Sequence, residues 1–183
     1  MTICWVITEE GLTGTENQCR GVAQALGVTP MVKRIGLRQP WQALSPWLGF
    51  ECPCTFTGDP LSAPWPDLVI AAGRKAAAAA RYIRKQSPRT FTVFLQDPRI
   101  SPKNFDLVAV PAHDSLRGSN VIVTQATPNL ITPAVLAQAR QTFATLLEPL
   151  PAPRVAVLIG GNSRTHAVTP QIMGKLAVQL KTL

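Results

Sequence analysis

Two histidines, four cysteines and ten acidic residues are all that 183 positions offer to metal or acid–base chemistry. The cysteines (Cys4, Cys19, Cys52, Cys54) are irregularly spaced. A single Cys-x-Cys with no second pair and no nearby His makes a poor zinc site. All four are expected as reduced, structural thiols, the usual state inside a cell. No apolar run approaches the ~20 residues of a membrane-spanning helix. The opening Met1-Thr-Ile-Cys-Trp lacks the basic start and long apolar stretch of a secretory leader, so a cytoplasmic address is expected. Neither the G-x-x-x-x-G-K-[ST] phosphate loop nor the G-x-G-x-x-G dinucleotide fingerprint occurs, and no catalytic triad is visible.

What is present is apolar and basic. Hydrophobic residues make up 46% of the chain, enough for a buried core. Eighteen Lys and Arg against ten acids leave a net charge of +8, which suits an anionic partner: nucleic acid, acidic lipid or a phosphorylated small molecule.

Short Val/Ile/Leu-rich runs alternate with helical patterns. Strands are expected at residues 3–8, 31–35, 68–71, 91–95, 107–110 and 121–124. A first helix, capped by Thr15, runs to Leu26, with Gly27 as its stop. A second covers residues 74–85. A third starts at Thr132-Pro133, with Leu136, Ala139, Phe143, Leu146 and Leu147 on one face. Residues 39–66 hold six prolines and three tryptophans, and read as an irregular excursion with one short helix. Strands that are apolar throughout, separated by helices, predict an α/β, Rossmann-like fold: a mainly parallel sheet with helices on both faces.

That domain is expected to span residues 1–148. Residues 149–153, with three prolines in Glu148-Pro-Leu-Pro-Ala-Pro153, are expected as a stiff hinge. Residues 154–183 read as the start of a second Rossmann-like domain: a strand at 155–159, a glycine loop, and a helix from Thr169-Pro170.

Parallel sheets bind ligands beyond the carboxyl ends of their strands. Four loops fall there: residues 11–17, Gly73-Arg74-Lys75, Gln96-Asp97-Pro98-Arg99, and residues 160–164. Glycine loops feeding helices suit phosphate, although tight turns use glycine for geometry alone. Arg74 and Lys75 begin a helix, where cations oppose the helix dipole; either both point into solvent, the reading placed first, or a bound anion offsets them. Six of the 18 basic residues fall between Arg74 and Arg89. Arg74, Arg81 and Lys85 share one helix face, which is either solvated or a docking face for lipid headgroups or nucleic acid. Asp97 is a candidate general base or a cap of its own turn. His113-Asp114 is the one His–Asp neighbour pair.

Several segments together carry a resemblance. They are Glu16-Asn17-Gln18, Pro66-Asp67-Leu-Val-Ile-Ala-Ala-Gly73-Arg74, Phe94-Leu-Gln96-Asp97-Pro98-Arg99, Phe105-Asp106-Leu-Val, Pro111-Ala-His113-Asp114, Leu116-Arg117-Gly118-Ser-Asn120-Val and Val157-Leu-Ile-Gly160-Gly161-Asn162-Ser163. In this order the chain resembles a bacterial ELM-type family, named after a plant mitochondrial-fission protein and similar in layout to GT-B glycosyltransferases.

The resemblance implies the N-terminal, acceptor-side half of an enzyme that moves sugar from a nucleotide-sugar donor to a glycan or lipid-linked acceptor. It implies that Glu16, Asn17, Gly73, Arg74, Gln96, Asp97, Arg99 and His113 line the acceptor side. Gly160, Gly161, Asn162 and Ser163 would approach the donor phosphates. Neither a metal nor a resident cofactor is implied. Many related glycosyltransferases carry a His in the first glycine loop where this chain has Thr15, which leaves Glu16 and Asp97 as candidate bases. Family members continue beyond the point corresponding to Leu183, so this chain alone is expected to be inactive. The alternative is a non-catalytic scaffold or membrane-peripheral adaptor touching an anionic membrane at its inner face. Nucleic acid is the third-ranked partner, without a recognised motif.

Overall fold

The structure is a computed structural model that describes residues 2–161 and 167–181. By internal contacts the chain divides into two units, Met1–Pro133 and Ala134–Leu183.

The first unit is built on seven strands: β1 (Cys4–Glu9), β2 (Pro30–Leu37), β3 (Phe56–Gly58), β4 (Leu68–Ala72), β5 (Phe91–Leu95), β6 (Leu107–Pro111) and β7 (Val121–Thr124). They lie in the order β3-β2-β1-β4-β5-β6-β7. Every neighbouring pair is parallel except β2–β3. Helix α1 (Thr13–Ala25) connects β1 to β2, and α3 (Arg74–Gln86) connects β4 to β5; the short α2 (Trp41–Leu44) opens the proline-rich excursion. The fold is Rossmann-like.

The alternation of side chains along a strand assigns the two faces. Cys4, Val6, Ile70, Ala72, Val93, Leu95 and Ala109 join Cys19 and Ala23 of α1 in one core. Trp5, Ile7, Val69, Ala71, Phe94, Val108 and Val110 join the α3 side in the other. Both faces are covered, which is why these strands are apolar at most positions on both faces, with Thr8 and Thr92 as buried exceptions. Ala76, Ala77, Ala78, Ala79 and Ala80 are all buried, so α3 lies close against the sheet.

Polar staples hold the amino ends of the strands. Asp67 Oδ2 accepts from Ile3 N at 2.8 Å. Asp106 Oδ2 accepts from both Thr92 N and Thr92 Oγ1 at 2.8 Å, while Arg84 donates to Asp106 Oδ1 at 2.9 Å. Asn120 Nδ2 donates to the carbonyls of Pro102 and Phe105.

Five expectations are corrected, the last of them in the second unit below. Helix α1 starts at Thr13, with Leu12 in the capping position and no side-chain cap, so Thr15 lies inside the helix. The excursion also carries β3, an antiparallel edge strand of three residues, too short to show an alternation pattern. The helix from Pro133 is broken at Phe143 into α4 (Pro133–Thr142) and α5 (Ala144–Leu147). Cys52 and Cys54 are joined by a disulfide, because the 3-10 turn Pro53–Thr55 sets their Cα atoms 5.3 Å apart.

Cys4 and Cys19 remain free and buried. Burial pushes the Cys4 thiol up to about 11. Cys19 rises to about 12, through burial first and the nearby Glu16 and Cys4 charges second. Neither thiol ionises near neutrality. A thiol reagent at pH 8 is expected to leave both unmodified in the folded chain and to modify both after unfolding. Because the folded pKa values lie above the ordinary thiol value of 9.0, stability holds below pH 9 and falls as pH rises towards 11 and 12.

The second unit contains α4, α5 and α6 (Pro170–Leu180), the last capped by Thr169 Oγ1, which accepts from Ile172 N at 3.3 Å. Residues 149–153 adopt neither helix nor strand. No strand forms at residues 155–159, contrary to expectation; Val155, Val157, Leu158 and Ile159 are exposed. A strand needs a neighbour to take its backbone donors, and among the described residues this unit supplies none.

Candidate functional site

In the first unit, β1 leads into α1 on one face and β4 leads into α3 on the other. Neighbouring strands whose connections leave in opposite directions open a crevice at their carboxyl ends. The loops after β1, β4, β5 and β6 lie along this edge; they contain Gly73, Gln96, Asp97, Arg99 and His113, and the first of them leads into α1, which carries Glu16.

The centre of the crevice is held by a residue with no sequence signal, Glu9, the last of β1. Its Oε1 accepts from Lys75 N at 2.8 Å, and its Oε2 lies 3.4 Å from Lys75 Nζ. A carboxylate from a neighbouring strand therefore satisfies the start of α3 and offsets the Lys75 cation there. Gly73 makes the approach by adopting φ +97°, and a Cβ on it would stand 3.2 Å from Glu9 Oε1. The counter-charge to Lys75 is thus the protein's own Glu9.

Arg74 is exposed, and its guanidinium turns to the excursion after α2 rather than to the crevice. Its guanidinium donates to Ser45 O at 2.7 Å and Gln42 O at 3.3 Å, and Ser45 Oγ donates back to Arg74 O.

Glu16 is buried in the first turn of α1. Arg34 of β2 grips it with two hydrogen bonds, Nε to Oε2 at 2.8 Å and Nη2 to Oε1 at 2.9 Å, and Arg20 stands 3.7 Å away. That pairing raises the Arg34 pKa, through the hydrogen bond first and the Glu16 charge second. Both Glu16 oxygens are occupied, so its visible work is to anchor α1 to β2. Asn17 is exposed beside it. Gln18 Oε1 accepts from Gln96 Nε2 at 2.8 Å, tying α1 to the loop after β5.

That loop is strained. Gln96 has φ +74° and Arg99 φ +58°, left-handed values that cost non-glycine residues about 1–3 kcal/mol each. Pro98 is buried between the exposed Asp97 and Arg99, and Asp97 Oδ1 accepts from Arg99 N at 2.7 Å. Arg99→Gly relieves one of the two strained residues while loosening the unfolded chain. The expected result is a gain of about 0.5 kcal/mol in a urea titration.

His113 is 80% exposed, with Nε2 3.8 Å from Asp114 Oδ1, beyond hydrogen-bond range. Thr8 Oγ1, next to Glu9, is buried without a partner. In the second unit, Gly160 and Gly161 are exposed in irregular backbone; Asn162 and Ser163 lie outside the described residues.

A family model described as mitochondrial fission ELM1 matches residues 13–183. The chain belongs to that family. No curated protein and no solved structure matches it. The ELM1 match takes in the loops after β4, β5 and β6 and begins beyond Glu9. Among the described residues, no helix is long and apolar enough to cross a membrane, and no cluster of His, Cys, Asp or Glu is placed to hold a metal.

Proposed function

We propose that this member of the ELM1 family is the acceptor-side part of a GT-B-type glycosyltransferase. It would work at the cytoplasmic side on a glycan or lipid-linked acceptor, with a nucleotide sugar as donor. The observation that carries the reading is the strained Gln96–Arg99 loop at the carboxyl edge of a Rossmann-like sheet, beside the β1/β4 crevice. Strain of this kind persists where surrounding structure enforces it, and it collects at binding sites.

In this reading Asp97 is the base, since among the described residues its Oδ2 carries no hydrogen bond whereas both oxygens of Glu16 are taken. Asp97 removes the proton of an acceptor hydroxyl. The freed oxygen bonds to the anomeric carbon, and the bond from that carbon to the nucleotide diphosphate breaks, its electron pair leaving with the diphosphate. Gln96, Arg99, Asn17 and His113 supply polar contacts around the acceptor. Glu9 and Gly73 shape the crevice wall, and Arg74 holds the neighbouring excursion through the Gln42 and Ser45 carbonyls. The Gly160–Ser163 stretch is assigned to the donor phosphates.

Transfer from a panel of labelled nucleotide sugars to a lipid-linked saccharide, by a form that also carries a donor-side domain, tests this. Asp97→Asn is expected to lower kcat by about a hundredfold with little change in KM. No transfer from any donor, together with no acceptor binding by the chain, overturns the reading.

A further inference from the structure

The segment between α2 and β3 is bolted down so that its large apolar side chains face outward. Trp41 Nε1 donates to Gly49 O at 3.2 Å. Arg74 holds the carbonyls of Gln42 and Ser45. Arg81, seven residues further along α3, holds the carbonyls of Pro46 and Leu48 at 3.0 and 2.8 Å and pairs with Glu51. Leu44, Trp47 and Phe50 nevertheless stand 50%, 62% and 87% exposed, and Phe50 has a left-handed backbone, φ +64°. Water gains nothing from a bulky aromatic fixed in strained backbone at the surface.

The charge beside this tip is positive. Arg81 also lines a cleft with Arg84, Lys85, Pro88, Lys103 and Asn104. Glu51 and Asp106 neutralise the two arginines. Lys85 and Lys103 are exposed and have no acidic partner among the described residues. Protruding Trp and Phe next to unpaired lysines match the two attractions of an anionic bilayer: apolar side chains enter the headgroup boundary while cations meet its surface charge.

We propose that Leu44, Trp47 and Phe50, with Lys85 and Lys103, dock the chain on the surface of an anionic phospholipid bilayer. Of the Arg74, Arg81 and Lys85 helix face, only Lys85 belongs to this surface: Arg74 and Arg81 hold the docking segment from behind. The inference holds whether or not the crevice carries sugar transfer.

Co-sedimentation of the full chain with vesicles tests it. Vesicles of phosphatidylcholine containing about a third phosphatidylglycerol should bind the chain, and binding should weaken with salt. Trp47→Ser with Phe50→Ser, both exposed, should weaken binding at least about tenfold without lowering the melting temperature. Lys85→Gln with Lys103→Gln should weaken it by about thirtyfold and remove the preference for phosphatidylglycerol. Binding by the aromatic variant equal to that of the native chain overturns the proposal. So does a self-associated native chain that ignores vesicles and becomes monomeric in the aromatic variant.

Discussion

Arg81→Ala is expected to destabilise the chain by about 3 kcal/mol, the low end for removing one partner of a buried ion pair. The Arg81 and Glu51 side chains are only 19% and 5% exposed, so truncation leaves a carboxylate in a dry place. It also releases the carbonyls of Pro46 and Leu48. A thermal melt should fall by roughly 9 °C for a chain of this size. Arg81→Met combined with Glu51→Leu should recover most of the loss, because an apolar pair of similar volume leaves no buried charge. A double variant as unstable as Arg81→Ala would mean that the carbonyl contacts, not the ion pair, hold the excursion.

The second large effect belongs to Gly73→Ala. Its φ of +97° with ψ of 152° lies in a region that is essentially glycine-only, costing another residue about 1–3 kcal/mol. The new methyl would also press on Glu9 Oε1. We expect a loss of about 3 kcal/mol in a denaturant titration, together with loss of acceptor binding out of proportion to the unfolded fraction. Gly14→Ala is the control. Gly14 has open space around it and lies inside α1, so alanine there should leave stability unchanged or raise it slightly.

The layered sheet was legible because each buried strand is a mostly apolar run and each long helix of the first unit has a small-residue or amphipathic face. Runs such as Leu68–Ala72 and Phe91–Leu95 need no tertiary information to read as strands. Three residues of β3 carry too little pattern to be seen, and the chemistry around them, six prolines and a Cys-x-Cys, pointed away from regular structure. The failed strand at 155–159 has the right composition but no neighbour, and composition cannot supply one.

Motif residues were visible as a set but not by task. Asp67, Asp106 and Asn120 look as chemical as Asp97 in sequence. In space the first three staple the amino ends of strands, and only Asp97 stands at the carboxyl edge. Arg74 and Glu16 seemed ligand-facing because charge after a glycine loop suggests an anion or a base. Their partners, Ser45 O and Arg34, lie 29 and 18 residues away, at separations no local pattern encodes. Glu9 was missed for the same reason: Lys75, which it holds, is 66 residues further along the chain.

The central claim is that the acceptor lies at the carboxyl edge of the sheet, over the Gln96–Arg99 loop. Amide hydrogen exchange of the chain with and without a lipid-linked saccharide measures this most directly. The account predicts new protection at Gly73 to Lys75, Gln96 to Arg99 and Ala112 to Asp114, and none at the strand amino ends around Asp67, Asp106 and Asn120. Protection at the amino ends, with the Gln96–Arg99 loop unchanged, would contradict it.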